Sequence, residues 1–352
     1  RVLLQSYIVE DGGVATEVAE LLLQRAAAGV QVSLIYDAVG SIRTPDAFFQ
    51  RLIDGGVQVC AFNPVNPAKS VGRRVSAITH RDHRKLLVVD EEVAFTGGIN
   101  ISRVYGSGSA GRRRNAAADP LDDGWRDTQI ELRGPVVPML ATVFETTWTE
   151  QRCQGALAPP ARAQGPREPG QRVVKVIASD PRDDTNRIYN TLLAAVDAAQ
   201  RSVRITMAYF APGEAFVRAL GQAAQRGVAV ELVLPGRSDS ALAFHAGRAY
   251  YDQLLAAGVQ LHEMEHAVMH AKTAVIDGVF STVGSSNLDW LSFVANSELN
   301  VIVLGEDFGA EMNRLFERDR DASQPITLEE WRRRGLSDRA METLSRMLER
   351  FL

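Results

Sequence analysis

The chain has 352 residues, of which 45% are hydrophobic and 23% charged, a composition that excludes a disordered polymer and suits about two globular domains. Lys plus Arg number 39 and Asp plus Glu 43, a formal net charge of −4, the wrong balance for a dedicated nucleic-acid binder. The two cysteines, Cys60 and Cys153, make no disulfide framework and no C-x-x-C spacing, so a reducing compartment is permitted. No apolar run reaches the ~18 residues of a bilayer span. The N-terminus has no signal-peptide pattern. Arg1 opens almost directly into Val2-Leu3-Leu4, as in a chain trimmed of an upstream anchor.

Read in order, the chain repeats itself once. Residues 19–37 predict an amphipathic helix, a glycine stop at Gly29 and an apolar strand, and residues 216–236 predict the same with Gly227. Residues 48–64 predict a second helix, Gly56 and a strand, matched by residues 250–266 with Gly258. Each half then reaches a further apolar strand, at 83–100 and 270–287. Strands alternating with helices predict an α/β protein of two similar halves. Each half is a mixed, mostly parallel sheet flanked by helices, and the halves are related by a pseudo-twofold with the site at their interface. The first half spans 1–150 and the second 172–305. Between them residues 151–171, rich in Pro, Gly, Ala and Gln, read as a linker. Residues 105–124, rich in Gly, Ser, Ala and Arg, read as a long loop.

The third strands carry the chemistry. His83-x-Lys85-x-x-x-x-Asp90 and His270-x-Lys272-x-x-x-x-Asp277 have identical internal spacing. Each is followed by a small-residue turn ending in asparagine, Gly97-Gly98-Ile99-Asn100 and Gly284-Ser285-Ser286-Asn287. One such match reads as a satisfied strand histidine beside a solvated lysine, but two, at equivalent places in a duplicated chain, form a specific signal. On a strand, residues i and i+2 share a face, so each histidine lies beside its lysine. Pairing the halves gathers two imidazoles and two ammonium groups around a space suited to a phosphodiester. Lys85 and Lys272 neutralise its oxygens, and Asn100, Asn287 and Ser285 bind the phosphate. One imidazole attacks phosphorus and the other protonates the leaving alcohol. Asp90 and Asp277, counted with the catalytic set as motif members, follow the strands and suit anchoring of the turn and lysine.

These residues resemble the phospholipase D superfamily over nearly the whole chain. Tyr209-Phe210-Ala211-Pro212, residues 232–240, residues 270–290 and Asn296-Ser297-Glu298-Leu299-Asn300 are similar to bacterial cardiolipin synthases. The resemblance implies a covalent phosphatidyl-histidine intermediate, no cofactor and no metal. It also implies one acidic residue downstream of each motif, Asp127 and Glu298, each paired with the histidine of the opposite half. His83 would be the nucleophile and His270 the general acid. Gln129 stands where the family commonly has histidine, and the Arg-bearing stretch 106–123 is unusual for it.

Other features have plainer readings beside them. His262-Glu263-Met264-Glu265-His266 matches H-E-x-x-H, but that zinc pattern needs a helix, and Gly258 has just ended one. Arg73, Arg74, Arg81, Arg84 and Lys85 read either as a solvated stretch or as a positive collar for anionic head groups, and Arg112, Arg113 and Arg114 add to the second reading. Tyr209, Phe210, Tyr250 and Tyr251 read as core. Thr327 to Glu330 reads as a capping box. Residues 306–352 read as a helical extension on the second half or on a membrane, with an apolar stripe along 336–352.

The expected function is phosphatidyl transfer between two phosphatidylglycerol molecules, giving cardiolipin and glycerol. The alternatives are a hydrolytic phospholipase D and a metal-independent nuclease. The expected partners are anionic phospholipids and a membrane surface, with no nucleic acid. The resemblance places the chain peripherally on the cytoplasmic side of a bacterial membrane.

Overall fold

The structure is a computed structural model and describes residues 1–64, 79–105, 124–159, 170–182 and 185–349. In the first half β1 (Val2–Ser6), α1 (Val14–Ala27), β2 (Val32–Asp37), α2 (Asp46–Asp54) and β3 (Gln58–Phe62) run in the expected order. β4 (Arg81–Asp82), β5 (Leu86–Val89), β6 (Val93–Gly97), β7 (Trp125–Arg126), β8 (Gln129–Arg133) and α3 (Val137–Glu150) complete it. α1 buries Ala15, Ala19 and Leu22. It stops where Gly29 takes φ +82° and its N–H reaches the Ala26 carbonyl, a left-handed closure that Cβ-bearing residues resist.

The second half repeats the plan. It contains β9 (Val173–Ser179), α4 (Arg187–Ala198), β10 (Ser202–Met207), α5 (Gly213–Gln225), β11 (Ala229–Pro235), α6 (Ala241–Arg248) and α7 (Tyr251–Ala256). These are followed by β12 (Gln260–Met264), β13 (Val268–Met269), β14 (Lys272–Ile276), β15 (Phe280–Gly284), α8 (Trp290–Val294) and β16 (Asn296–Leu304). α9 (Glu306–Asp321), β17 (Gln324–Ile326), α10 (Leu328–Arg332) and α11 (Leu336–Met347) end the chain described. Thr327 caps α10 by accepting the Glu330 N–H.

One sheet has six strands in the order β3-β2-β1-β5-β6-β8, and the other nine, including β12-β11-β10-β14-β15-β16. Both are mixed and helix-flanked. Parallel pairing joins three strands of each, β1 to β3 and β10 to β12. The motif strands β5 and β14 enter antiparallel and continue as hairpins, so antiparallel pairs dominate beyond them. The first hairpin turns through Asp90 and Glu91 and the second through Asp277 and Gly278, all at positive φ, a turn whose twist matches that of paired strands.

A shared core joins the sheets. Leu86, Val88 and Ala94 of the first half meet Val283, Leu299 and Val301 of the second, with Phe144 of α3 and Met312 of α9 in the same cluster. β4 leaves its own half to pair in parallel with β16, and β13 pairs with β7.

One expectation changes. Cys60 and Cys153 form a disulfide, with Cα atoms 5.5 Å apart across 93 residues. β3 and the chain leaving α3 pack against one core, a proximity that spacing alone does not reveal. The apolar stripe of α11 does not face the protein. α11 buries Glu342 and Ser345 and leaves Leu336, Leu344 and Met347 outward, at 82%, 54% and 75% exposure. Arg334 beside Glu342 supplies the polar partner that lets the polar side pack inward.

Candidate active site

Each motif histidine is held by the opposite half before its side chain is considered. The His83 N–H donates to the Ser297 carbonyl at 2.9 Å, continuing the β4–β16 pairing. The His270 N–H donates to the Arg126 carbonyl at 2.8 Å, continuing β13–β7. The short crossing strands therefore carry each imidazole to the other sheet.

The carboxylates follow the same crossing. Glu298 on β16 is fully buried, and its two oxygens lie 3.0 and 3.1 Å from His83 Nδ1. Asp127, between β7 and β8, places Oδ2 2.6 Å from His270 Nδ1. Its Oδ1 accepts the Thr128 N–H at 2.7 Å. Gly98 makes room for it: a Cβ there would sit 2.1 Å from Asp127 Oδ1. With both carboxylates ionised, each imidazole carries its proton on Nδ1 and leaves Nε2 with a lone pair. Ser285 donates its hydroxyl to Glu298, and Tyr105 places its phenol 3.2 Å from Asp127 Oδ2 and 3.1 Å from His270 Nδ1.

The lysines are buried and repeat one contact. Lys85 Nζ donates to the His83 carbonyl and Lys272 Nζ to the His270 carbonyl. Burial pushes Lys85 down to about 7, against the pull of Glu298. Lys272 is pushed down to about 8 by burial, with Asp127 and Glu298 opposing. Burial also lowers both imidazoles, with Glu298 opposing at His83 and with His270 brought to about 4. Burial would raise the two carboxylates, but His270 and Lys272 hold Asp127 below its usual range, and His83 and Lys85 do the same for Glu298. Near pH 7 both imidazoles are thus neutral and both carboxylates ionised. Lys272 contributes to lowering His83, and Lys85 to lowering His270. The four basic groups therefore occupy one electrostatic space.

Several expected ligands sit elsewhere or are engaged. The Ser285 hydroxyl, expected on the phosphate, is spent on Glu298 and on the Leu299 N–H. Asp90 and Asp277 lie five residues beyond the lysines, ~17 Å along an extended strand, and do not join the cluster. Asp277 accepts the N–H groups of Gln200, Arg201 and Ser202 at 2.7 to 2.9 Å, and the Asp90 N–H donates to the Arg1 carbonyl at 2.9 Å. They are hairpin anchors, because the left-handed turn puts their carboxylates on the far edge of each sheet. Asn100 is buried and accepts the Ile8 N–H at 3.2 Å. Asn287 is buried, and its Oδ1 takes no hydrogen bond among the described residues.

The basic collar is not a surface feature where it is described. Arg81 is buried against Asp37, and Arg84 against Asp82. Arg73, Arg74 and Arg112 to Arg114 lie outside the described residues. His262 and Glu263 lie on strand β12, not on a helix, and Glu263 pairs with Arg248. Among the described residues no cluster of His, Cys, Asp or Glu is arranged to hold a metal ion.

Sequence reasoning missed the aromatic wall. Tyr7 stands edge-on to His83 with ring centroids 4.9 Å apart, under the Lys85 ammonium at 5.2 Å. Trp125 lies 4.8 Å from the His270 ring, and Tyr209 stands edge-on to it at 6.4 Å. Tyr209, expected in the core, is only half-buried, unlike Phe210, Tyr250 and Tyr251. The available signal is position: Tyr7 follows β1 and Tyr209 follows β10, the strands that pair with the motif strands β5 and β14.

The family described as "Cardiolipin synthase, PLD-like domain" matches residues 192–320. A cardiolipin synthase of Geobacillus sp. (strain WCH70) is 33% identical over 351 residues, 99% of this chain and 67% of that protein. Cardiolipin synthase 2 of Bacillus anthracis is 30% identical over 351 residues, 99% of this chain and 65% of that protein. The chain thus spans about two thirds of the length of these relatives. Among solved structures, phosphatidylserine synthase of Haemophilus influenzae Rd KW20 superposes with a TM-score of 0.66 at 12% identity, covering 100% of this chain and 90% of that one, a likeness of fold. With a relative this similar over nearly its whole length, the chain belongs to the cardiolipin synthase family of phospholipase D-like proteins.

Proposed function

We propose that this protein is a phosphatidyltransferase that makes cardiolipin from two phosphatidylglycerol molecules. The supporting observation is the crossed pairing of His83 with Glu298 and His270 with Asp127 around two buried lysines. The halves, 1–150 and 172–305, act as one unit because each supplies the carboxylate of the other's histidine.

His83 Nε2 attacks the phosphorus of the first phosphatidylglycerol. A nitrogen–phosphorus bond forms, the bond to the glycerol oxygen breaks, and His270 gives that oxygen a proton. In the empty site His270 is neutral at pH 7. The anionic diester against its Nε2 favours the imidazolium, supplying the proton to be donated. Lys85 and Lys272 neutralise the non-bridging oxygens as charge builds there. The free hydroxyl of a second phosphatidylglycerol then attacks phosphorus and the nitrogen–phosphorus bond breaks. The hydroxyl proton returns to His270, and cardiolipin leaves. Burial of the reacting groups favours an alcohol over water at the second step.

The bilayer contact that this reaction needs is supported by α11, whose outward Leu336, Leu344 and Met347 form an apolar face of the kind that lies in a lipid interface. No helix among the described residues is long and apolar enough to cross a membrane. We place the protein peripherally on a bacterial membrane, on its cytoplasmic face. There glutathione and thioredoxin would hold Cys60 and Cys153 as thiols. A Cys60–Cys153 disulfide recovered from cells under alkylating quench would put this domain outside.

The test is acid quench of the protein mixed with phosphatidylglycerol labelled in its diacylglycerol part, followed by mapping of the label and identification of the lipid product. Label on His83 and a cardiolipin product are expected. Phosphatidic acid as the sole product would make the protein a hydrolase, and label on His270 would exchange the two roles.

A further inference from the structure

Among the described residues, the site offers a free carboxylate beside His270 but not beside His83. Tyr209, edge-on to the His270 ring, donates its phenolic O–H to Asp239 Oδ1 at 2.6 Å. Ser238 places its hydroxyl 3.4 Å from the same oxygen. Among the described residues Asp239 Oδ2 takes no hydrogen bond, and Asp239 is exposed. The carboxylate belongs to the space between the halves, because its field reaches both Lys272 of one motif and Tyr7 on the His83 side.

The equivalent loop of the first half is shut. Asp37 is fully buried, with Oδ1 accepting the Val39 and Gly40 N–H groups and Oδ2 the Asp82 N–H. Gly40 packs so tightly on the Tyr7 backbone that a Cβ would lie 2.3 Å from its carbonyl oxygen. Ser41 closes the same loop through the Tyr7 carbonyl and the Val9 N–H. Among the described residues, a pseudo-symmetric protein has therefore kept an open hydroxyl–carboxylate pair on one side only.

An anionic acceptor cannot be meant for phosphate, which it repels. It suits neutral hydroxyls, each of which can donate one hydrogen bond to it. In the proposed reaction both the departing and the entering alcohol pass on the His270 side. We propose that Tyr209 and Asp239 form a polyol subsite that grips the neighbouring hydroxyl of a glycerol head group while its primary hydroxyl faces His270. The subsite rests on the phosphatidyltransferase reading and specifies how that enzyme prefers a diol over a simple alcohol. Asp239 Oδ2 accepts the secondary hydroxyl, and the Tyr209 O–H holds the carboxylate in place. Tyr209 keeps its proton at any physiological pH, because burial and the adjacent Asp239 raise it well above the usual phenol range.

The experiment partitions one intermediate between two acceptors. The full chain is given phosphatidylglycerol vesicles with equal concentrations of deuterium-labelled glycerol and 1-propanol, and labelled phosphatidylglycerol is measured against phosphatidylpropanol. Because both products arise from the same phosphohistidine, loss of folded protein or of general activity cancels in the ratio. The wild type should favour glycerol, and Asp239→Asn and Tyr209→Phe should each lower the ratio by about tenfold, the cost of weakening one hydrogen bond to a charged group. A ratio unchanged in both variants would reduce Tyr209–Asp239 to a loop latch and overturn the subsite while leaving the transferase reading intact. A wild type that yields only phosphatidic acid would overturn both, and one that yields cardiolipin but no phosphatidyl alcohol would overturn the subsite alone.

Discussion

Lys85 and Lys272 arrive from different sheets, yet the Lys272 charge is among the forces that depress Lys85. Two cations so placed, both buried, are held together by Glu298 and Asp127 until a phosphate enters.

This arrangement sets the alkaline limit of activity. Burial brings Lys85 to about 7 and Lys272 to about 8, so each loses its charge as pH rises through those values. On phosphatidylglycerol vesicles kcat/KM should fall between about pH 7 and 9, since that ratio reports the free enzyme. Stability should move the other way. An unfolded lysine keeps its proton to about 10.4, so between the folded and unfolded values the unfolded chain binds more protons and unfolding free energy rises with pH. A kcat/KM flat from pH 6 to 9 would show that both lysines stay charged.

Replacing Glu298 by Gln, or Asp127 by Asn, keeps the shape but removes the acceptor that fixes the proton on Nδ1. Each change should lower kcat by roughly 100- to 10,000-fold, with a smaller effect on KM, as in other His–carboxylate pairs. Tyr105→Phe, which leaves Asp127 on His270, should cost under about tenfold. Steady-state kinetics of the three variants check the order; equal losses would place Tyr105 on a par with the carboxylate.

The disulfide should matter to stability and not to turnover. In the oxidised protein the bond ties β3, the edge strand three places from the motif strand β5, to the chain leaving α3. Cys153→Ser should lower unfolding free energy by about 2–4 kcal/mol, read as an earlier urea midpoint, while kcat stays within about twofold. An unchanged midpoint would mean that the cross-link constrains nothing the fold does not already hold.

Lipid binding should depend on α11. Changing Leu336, Leu344 and Met347 together to Ser removes side chains that point outward, so the fold should survive. Each is worth up to about 1.5–3 kcal/mol if fully buried in lipid, and affinity for phosphatidylglycerol vesicles should fall at least tenfold in a sedimentation assay. Undiminished binding would assign the contact to another surface.

What the sequence made legible was local. The helix stripes that end at Gly29 and Gly227, the strands after them and the doubled H-x-K pattern all follow from residues close in the chain. What it hid depends on which elements touch. Ser285 reads as a phosphate ligand until β16 sets Glu298 beside it. The α11 stripe has the right period, but period does not say on which side the protein lies. Tyr209 and Asp239 are thirty residues apart, and only the packing of the β10 and β11 ends brings them together. The crossing of β4 and β7 into the opposite half rests on two-residue strands too short to carry a pattern. The His–carboxylate pairings they enforce were visible only through family resemblance.

In the oxidised protein the bond between Cys60 and Cys153 closes a covalent ring that contains His83, Lys85, Asn100 and Asp127. A protease that nicks the backbone once inside this ring releases nothing: both fragments stay tethered, and the strands that cross to the other half remain seated. Such a clipped molecule would migrate as one species on a denaturing gel until a reductant is added, and then as two.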